Sequence, residues 1–172
     1  MTIFAPMSKT ILLTPSQIRQ RITRLAWQLY EDNADEKEVV IVGIMSSGNS
    51  VALQVADALK AIAPFQVQTG TLRIDKHSQV AGKCDLSLST QDLEGKVVVI
   101  VDDVLNSGKT LMYALKPFLA IDLRKIRIVV LVDRNHRKYP IAADYSGMTL
   151  ATTLKEHISV EAIEGELTAF IE

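Results

Sequence analysis

The segment that most constrains this chain is Val97–Thr110, which reads VVVIVDDVLNSGKT. Its first five residues are valines and one isoleucine, and an apolar run this short predicts a strand buried on both faces. Asp102 and Asp103 follow the run, and then comes a polar turn. The apolar spacing from Lys109 onward predicts a helix. The segment therefore predicts a strand–turn–helix unit, with two acids at the carboxyl end of a central strand.

This unit predicts a site for a sugar phosphate. Open α/β sheets bind ligands at the carboxyl ends of their strands, where backbone N–H groups at a helix N-terminus favour a phosphate. Ser107 and Thr110 add hydroxyl groups, Lys109 adds a positive charge, and Gly108 lets the backbone approach an anion closely. The two carboxylates would repel a phosphate, but they suit the hydroxyls of a ribose or a divalent cation.

The segment has three other interpretations. The ending GKT is typical of a nucleotide-binding P-loop, but that loop needs a glycine five positions before Gly108, and Asp103 stands there. A receiver domain carries acids at strand ends but lacks a Ser-Gly-Lys-Thr turn after them. A strand–turn–helix unit whose acids are only solvated stays open as the simplest alternative.

The whole string resembles the phosphoribosyl pyrophosphate (PRPP) signature of type I phosphoribosyltransferases. In that family the two acids bind the ribose hydroxyls and the turn after them holds the 5-phosphate. The resemblance implies that Asp102 and Asp103 are the catalytic residues, and that Mg²⁺ binds with PRPP, held by the same two acids through the ribose and PRPP. The implied PRPP-binding residues are Asp102, Asp103, Val104, Leu105, Asn106, Ser107, Gly108, Lys109 and Thr110.

A second strand and turn come earlier in the chain. Val39–Ile44 predicts another buried strand, Met45–Ser50 a turn of small residues, and 51–61 a helix. An anion could bind at this turn too, although Ser-Ser-Gly is also an ordinary tight turn. The resemblance implies that the turn grips pyrophosphate, mainly with backbone N–H groups, through Ser46, Ser47 and Gly48.

A third strand-end loop follows Ile126–Val132, which predicts a fourth buried strand of the sheet. The loop, residues 133–140, is polar and carries hydrogen-bonding and aromatic groups that suit a planar base. The predicted base-binding residues of this loop are Asp133, Arg134, His136 and Arg137.

The remaining pattern predicts the first helix and one more strand. Thr14 precedes Pro15 and stands three residues before Gln17, which predicts a helix N-terminus with a capping box. Apolar residues then recur at helical spacing up to Leu29. Phe65–Ile74 alternates enough to predict a strand.

Residues 75–94 show little periodicity and predict a long irregular segment, typical of an active-site lid. Residues 143–145 and 158–171 predict short strands, while Gly147 and Gly165 predict turns.

With these parts assembled, nearly the whole chain is similar to the pyrimidine operon attenuator/uracil phosphoribosyltransferase family. The strings that carry this resemblance are IRQRITRLAWQLYEDN, VVIVGIMSSGNSVALQVADAL, VVIVDDVLNSGKT, VLVDRNHRKYPIAADYSG and TTLKEHISVEA. The family implies an α/β fold, with a mostly parallel twisted sheet flanked by helices and a small C-terminal hood. It implies transfer of phosphoribose from PRPP to uracil, nucleotide-dependent RNA binding, and a homo-oligomer of at least two chains.

Several positions depart from the family pattern. The pyrophosphate turn of the family usually reads Thr-Arg-Gly, but Ser47 replaces the arginine, which removes a strong partner for pyrophosphate. After the third strand the family has Tyr-Arg-Asp-Asp, but here the arginine is Arg73, displaced by one residue and so on the opposite strand face. Asn135 replaces a family glycine, and Met148 replaces a family lysine. Asn106 stands where purine enzymes often carry an acid, which agrees with a pyrimidine enzyme.

Composition narrows the remaining possibilities. The chain has 172 residues, enough for one domain over 1–172, and 48% of them are hydrophobic. A net charge of −1 gives no general attraction to nucleic acid, so we expect any RNA binding to be weak. One cysteine excludes an internal disulfide, and the N-terminal sequence and the short apolar runs predict a cytoplasmic protein without a membrane span. Two alternatives stay open: a regulator that binds PRPP or nucleotide with little catalysis, and a phosphoribosyltransferase for another base.

Overall fold

The computed structural model describes residues 9–75, 82–153 and 156–172. Strands and helices alternate through most of this part of the chain. The strands are β1 (Thr10–Leu13), β2 (Glu38–Ile44), β3 (Gln66–Asp75), β4 (Lys83–Leu86), β5 (Val97–Leu105), β6 (Lys125–Asp133), β7 (Tyr145–Thr149), β8 (Ile158–Ile163) and β9 (Glu166–Ile171). The helices are α1 (Pro15–Asp32), α2 (Ser47–Ile62), α3 (Thr90–Leu93) and α4 (Lys109–Leu115), and a single 3₁₀ turn, Lys116–Phe118, follows α4.

The central sheet has six strands in the order β4-β3-β2-β5-β6-β7. All its pairs are parallel except β3 with β4. The valine-rich strands β2 and β5 lie in the middle, and residues 97–101 are completely buried because both faces of the sheet are covered. This confirms the predicted α/β fold with a mostly parallel sheet flanked by helices.

A second, antiparallel sheet forms the C-terminal hood. It has the strand order β1-β9-β8, with β8 and β9 joined by a hairpin whose turn contains Gly165 at φ +82°. The predicted turn at Gly165 is therefore confirmed. Strand β8 packs near β5 and α2, which brings its first residues to the carboxyl edge of the central sheet.

Helix α1 begins as the sequence predicts. The Thr14 hydroxyl accepts a hydrogen bond from the Gln17 amide at 3.3 Å, and the Gln17 side chain accepts one from the Thr14 amide at 2.9 Å. This capping box satisfies two backbone donors that the helix leaves unpaired. The apolar face of α1, which includes Ile18, Leu25 and Leu29, then packs in the core.

Five sequence-based predictions of secondary structure need correction. Within residues 75–94, 83–86 form the antiparallel edge strand β4 and 90–93 form α3, while 76–81 lie outside the described residues. Gly147 lies inside β7, not in a turn, and the strand predicted at 143–145 begins only at Tyr145. Helix α2 begins at Ser47, so the last four of the six residues of the predicted turn form its first turn. The last correction concerns the two acids: they lie within β5, which continues to Leu105.

The single-domain organisation stays a prediction. No helix within the described residues is long and apolar enough to cross a membrane.

Candidate active site

A cavity of about 330 Å³ opens at the carboxyl ends of β2 and β5. Three segments that are distant in sequence form its walls. Residues 46–48 form the first, residues 102–104 with Asn106 and Thr110 form the second, and residues 157–160 at the start of β8 form the third. The structure thus brings together the two predicted phosphate-binding turns and one edge of the hood.

The two acids of β5 are held by hydrogen bonds. Asp102 is 7% exposed, and its Oδ1 accepts a hydrogen bond from the Asp103 amide at 2.9 Å. Asp103 Oδ1 accepts one from the Val104 amide at 2.7 Å, and Asp103 Oδ2 accepts one from the Ser47 hydroxyl at 2.6 Å. Both carboxylates therefore line the cavity in fixed orientations, which suits recognition of neutral hydroxyls.

The turn at residues 46–48 packs directly against the acids. A Cβ atom at Gly48 would lie 2.6 Å from Asp102 Oδ1 and 3.1 Å from Asp102 Cα, so only glycine fits there without a shift. The Met45–Ser46 peptide is cis, and the Met45 amide donates to the Leu72 carbonyl of β3 at 2.9 Å. The uncharged Ser47 is thus bonded to Asp103 and brings no positive charge to the cavity.

The turn at residues 106–108 leads into α4. Gly108 has φ +89°, and a Cβ atom there would lie 2.5 Å from Ile141 Cγ2, so this position needs glycine on two grounds. The Ser107 hydroxyl accepts from the Lys109 amide at 3.3 Å. Lys109 Nζ lies 6.0 Å from the centre of the Tyr113 ring. A small cavity of about 40 Å³ lies within this turn, lined by residues 102, 104–108, 110 and 111. The Leu105 side chain belongs to the buried core, so only its backbone is available to a ligand.

The loop after β6 makes mostly internal contacts. Asp133 accepts from the Asn135 amide at 2.8 Å and pairs with Arg137 at 2.6 Å. Arg134 is buried and donates to Asn106 and to the chain before β8. Asn135 has φ +55°, a left-handed conformation that asparagine tolerates. The four predicted base-binding residues of this loop, Asp133, Arg134, His136 and Arg137, lie outside the walls of the cavity described above, and a base-binding role for them stays a prediction.

Residues 157–160 line the cavity, and the sequence analysis did not assign them to the site. The alternation of Ile158 and Val160 predicts a strand, and both side chains are buried. The alternation of apolar residues does not indicate that this strand, β8, approaches the carboxyl edge of the central sheet. On the opposite side, Ile74 lines the cavity and Arg73 is exposed, in agreement with the predicted change of strand face.

The donor set agrees with a metal that arrives with its substrate. The part of the chain that the structure describes contains no group of three or more His, Cys, Asp or Glu side chains placed to hold a metal ion. Magnesium bound with nucleotide-like substrates usually takes one or two carboxylates and completes its shell with phosphate oxygens and water. Asp102 and Asp103 meet that requirement.

Comparison with known proteins agrees with this geometry. The family model of the phosphoribosyl transferase domain matches residues 9–163. The chain is 37% identical over 163 residues to the bifunctional protein PyrR of Staphylococcus epidermidis, covering 90% of this chain and 92% of that protein. It is 34% identical over 164 residues to the bifunctional protein PyrR of Enterococcus faecalis, covering 92% of each.

Solved structures show the same fold. A hypoxanthine phosphoribosyltransferase of Staphylococcus aureus superposes with a TM-score of 0.70 at 26% identity, covering 84% of this chain and 79% of that one. A hypoxanthine-guanine phosphoribosyltransferase of Bacillus anthracis superposes with a TM-score of 0.69 at 21% identity, covering 84% of each chain. From the matched domain and the extent of the sequence similarity, the chain belongs to the phosphoribosyltransferase family and, within it, to the PyrR proteins.

Proposed function

We propose that this PyrR-family chain transfers the phosphoribosyl group of PRPP to uracil, giving uridine monophosphate and pyrophosphate. The observation that carries the proposal is the cavity of about 330 Å³ in which the turn at 46–48, the acids of β5 and the first residues of β8 meet. PRPP has one phosphate, one diol and one pyrophosphate, and each of these groups has a suitable counterpart at the cavity.

Each part of PRPP is assigned to the segment whose chemistry suits it. The 5-phosphate binds the backbone N–H groups and hydroxyls of residues 106–110, in a turn that the positive φ of Gly108 shapes. The ribose hydroxyls donate to Asp102 and Asp103, whose carboxylates are already oriented by backbone amides. Pyrophosphate binds the turn at 46–48, whose backbone is anchored against Asp102.

In the reaction, the bond from ribose C1 to the pyrophosphate oxygen breaks, and its electron pair leaves with pyrophosphate. A ring nitrogen of uracil supplies the electron pair of the new bond to C1, and its proton passes to solvent. The acids of β5 hold the ribose in place between the two groups, and the cavity walls limit the access of water to C1. Magnesium, held by Asp102, Asp103 and PRPP oxygens, would neutralise the charge on the leaving pyrophosphate.

The base is assigned to the side of the cavity between β5 and β8. The backbone of residues 157–160 offers donors and acceptors to the edge of a planar ring, while Val104, Ile158 and Val160 are almost buried and add only a small apolar area to the cavity. Arg137, in the loop after β6, reaches the Asn106 carbonyl at 3.4 Å and so contacts the phosphate turn. The Asn106 side chain is an amide and cannot take a proton from a purine base, which favours uracil as the substrate.

Pyrophosphate release from PRPP in the presence of magnesium tests the proposal directly. We expect uracil to give the fastest release when it is compared with cytosine, adenine, hypoxanthine and guanine. Turnover should be slow, because Ser47 provides no positive charge for the leaving group. The variant Asp57→Asn changes an acid on the exposed face of α2, away from the cavity, and should keep the wild-type rate. Release with a purine but not with uracil would replace uracil in the proposal.

A second function, nucleotide-dependent RNA binding, is favoured by the loss of the turn arginine, which weakens catalysis but leaves the nucleotide site in place. Two arginines of α1 are the candidate RNA contacts, but each already has a partner within the chain. Arg19 pairs with Glu166 at 2.7 Å, and Arg24 donates to the Gly147 carbonyl at 2.6 Å. We therefore expect weak RNA affinity that falls with modest salt, measured by filter binding with uridine monophosphate present. Tight binding at high salt would make regulation the leading function.

We also propose that the chain assembles into a homodimer or a larger oligomer, as its family resemblance implies. Sedimentation equilibrium measures the assembled mass directly. A mass equal to that of one chain at micromolar concentration would contradict the proposal.

A further inference from the structure

Arg134 is a buried cation that joins three separate segments of the chain. It is 8% exposed, and its backbone amide donates to the Leu105 carbonyl of β5 at 3.1 Å. All three nitrogens of its guanidinium donate hydrogen bonds. Nε donates to the Thr152 hydroxyl at 2.8 Å, Nη1 to Asn106 Oδ1 at 2.9 Å, and Nη2 to the Glu156 carbonyl at 2.7 Å.

The first partner belongs to the phosphate turn. Asn106 lines the cavity and is the first residue of the turn at 106–110. A guanidinium can only donate, so the amide oxygen of Asn106 must face Arg134. The amide NH₂ is then the group that Asn106 has left for a ligand. Arg134 thereby makes Asn106 a hydrogen-bond donor, which suits a phosphate.

The other partners belong to the chain that enters the hood. Thr152 and Glu156 lie just before residues 157–160, which form the third wall of the cavity. The Thr153 amide also donates to the Glu156 carboxylate at 2.6 Å, which lowers the pKa of Glu156 below its ordinary value. One guanidinium therefore holds both the phosphate turn and the chain that leads into residues 157–160, which we call the base wall.

We propose that Arg134 is a positioning residue that couples the phosphate turn to the base wall, so that binding at one side favours binding at the other. This inference rests on the proposed function, because it assigns phosphate to one partner of Arg134 and the base to the other. A buried guanidinium with acceptors in both segments transmits a displacement of either one, since a lost bond would leave a buried donor unpaired.

The test uses ribose 5-phosphate, a probe that fills the phosphate turn but has no base to contact the wall. Thr152→Val removes the hydroxyl partner on the hood side and leaves the phosphate turn untouched. We expect it to weaken ribose 5-phosphate binding about threefold to tenfold by isothermal titration calorimetry. Thr149→Val is the matched control, because the Thr149 hydroxyl contacts Ser146, not Arg134, and it should bind the probe like the wild type.

Arg134→Lys separates geometry from charge. Lysine keeps the positive charge but cannot reach the acceptors of both segments at once, so we expect ribose 5-phosphate affinity to fall about tenfold or more. Wild-type affinity in both Thr152→Val and Arg134→Lys would overturn the inference. Weaker binding of uridine monophosphate without any change for ribose 5-phosphate would also overturn it, since Arg134 would then serve the hood alone. Failure of the wild type to bind ribose 5-phosphate would instead refute the proposed function.

Discussion

Gly48→Ala offers a sharp steric test of the site. The added Cβ would lie 2.6 Å from Asp102 Oδ1, about 0.8 Å short of the 3.4 Å at which ordinary contact begins. Asp102 is buried and bonded to the Asp103 amide, so it cannot move away freely. Overpacking of this kind costs about 1–3 kcal/mol, and a displacement near 1 Å in a catalytic site costs about 100-fold in rate. We expect kcat/KM for PRPP to fall about 10- to 100-fold in the pyrophosphate-release assay with uracil.

Gly70→Ala is the matched control for this substitution. Its Cβ would also meet an atom at 2.6 Å, Leu88 Cδ1, with Leu88 Cγ at 2.9 Å, but both atoms belong to a flexible side chain that does not line the cavity. Neither Gly48 nor Gly70 has a positive φ, so backbone strain does not enter the comparison. Gly70→Ala should lower the melting temperature slightly and keep kcat/KM within about twofold of the wild-type value. A Gly48→Ala variant with unchanged kcat/KM would refute the argument that this turn and Asp102 together form the PRPP site.

Three further predictions concern the phosphate turn, catalysis and acid stability. Gly108→Val should abolish PRPP binding measured by calorimetry, because valine is strained at φ +89° and its Cβ would meet Ile141 at 2.5 Å; normal binding would place the phosphate elsewhere. Ser47→Arg should raise the rate of pyrophosphate release about 10- to 100-fold, and an unchanged rate would mean that another group stabilises pyrophosphate. Partial burial alone would raise the pKa of Asp32. The hydrogen bonds that Asp32 accepts, first of all the one from Arg127, outweigh this effect, so the pKa lies below its ordinary value. The ion pair therefore stabilises the fold above the unfolded-state pKa and is lost as pH falls through the lower folded value. The loss of melting temperature between about pH 5 and pH 2 should be smaller in Asp32→Asn, and an unchanged loss would contradict this.

The sequence predicted the elements whose signals are local. The valine run of β5 and the capping box of α1 each depend on residues within a few positions of one another, and both are present. The acids and the glycine of the phosphate turn were predicted from the order of residue types along one segment. Gly108 has a positive φ, which glycine adopts without strain.

The predictions that failed depend on contacts between distant segments. Strand β4 is short and polar, and it exists because β3 offers it an antiparallel edge. Gly147 resembles a turn residue, but a Cβ there would lie 2.6 Å from the Leu131 carbonyl, so it allows close packing inside a strand. The bond between Ser47 and Asp103 joins residues 56 positions apart, and no local pattern could have indicated it. The same limit applies to residues 157–160, because their alternating apolar residues predict a strand but not that this strand lies at the edge of the central sheet.

The most direct test of the PRPP site is calorimetric titration of magnesium PRPP into the wild type and into a variant with Asp102→Asn and Asp103→Asn. The amide side chains keep most of the shape of the carboxylates and can still accept from the Asp103 and Val104 amides. We therefore expect the free energy of unfolding to change by about 1 kcal/mol or less. PRPP affinity should nevertheless fall at least about tenfold, because ribose hydroxyls lose charged acceptors. Equal PRPP affinity in the two proteins would contradict the assignment of these acids and of the cavity as the PRPP site.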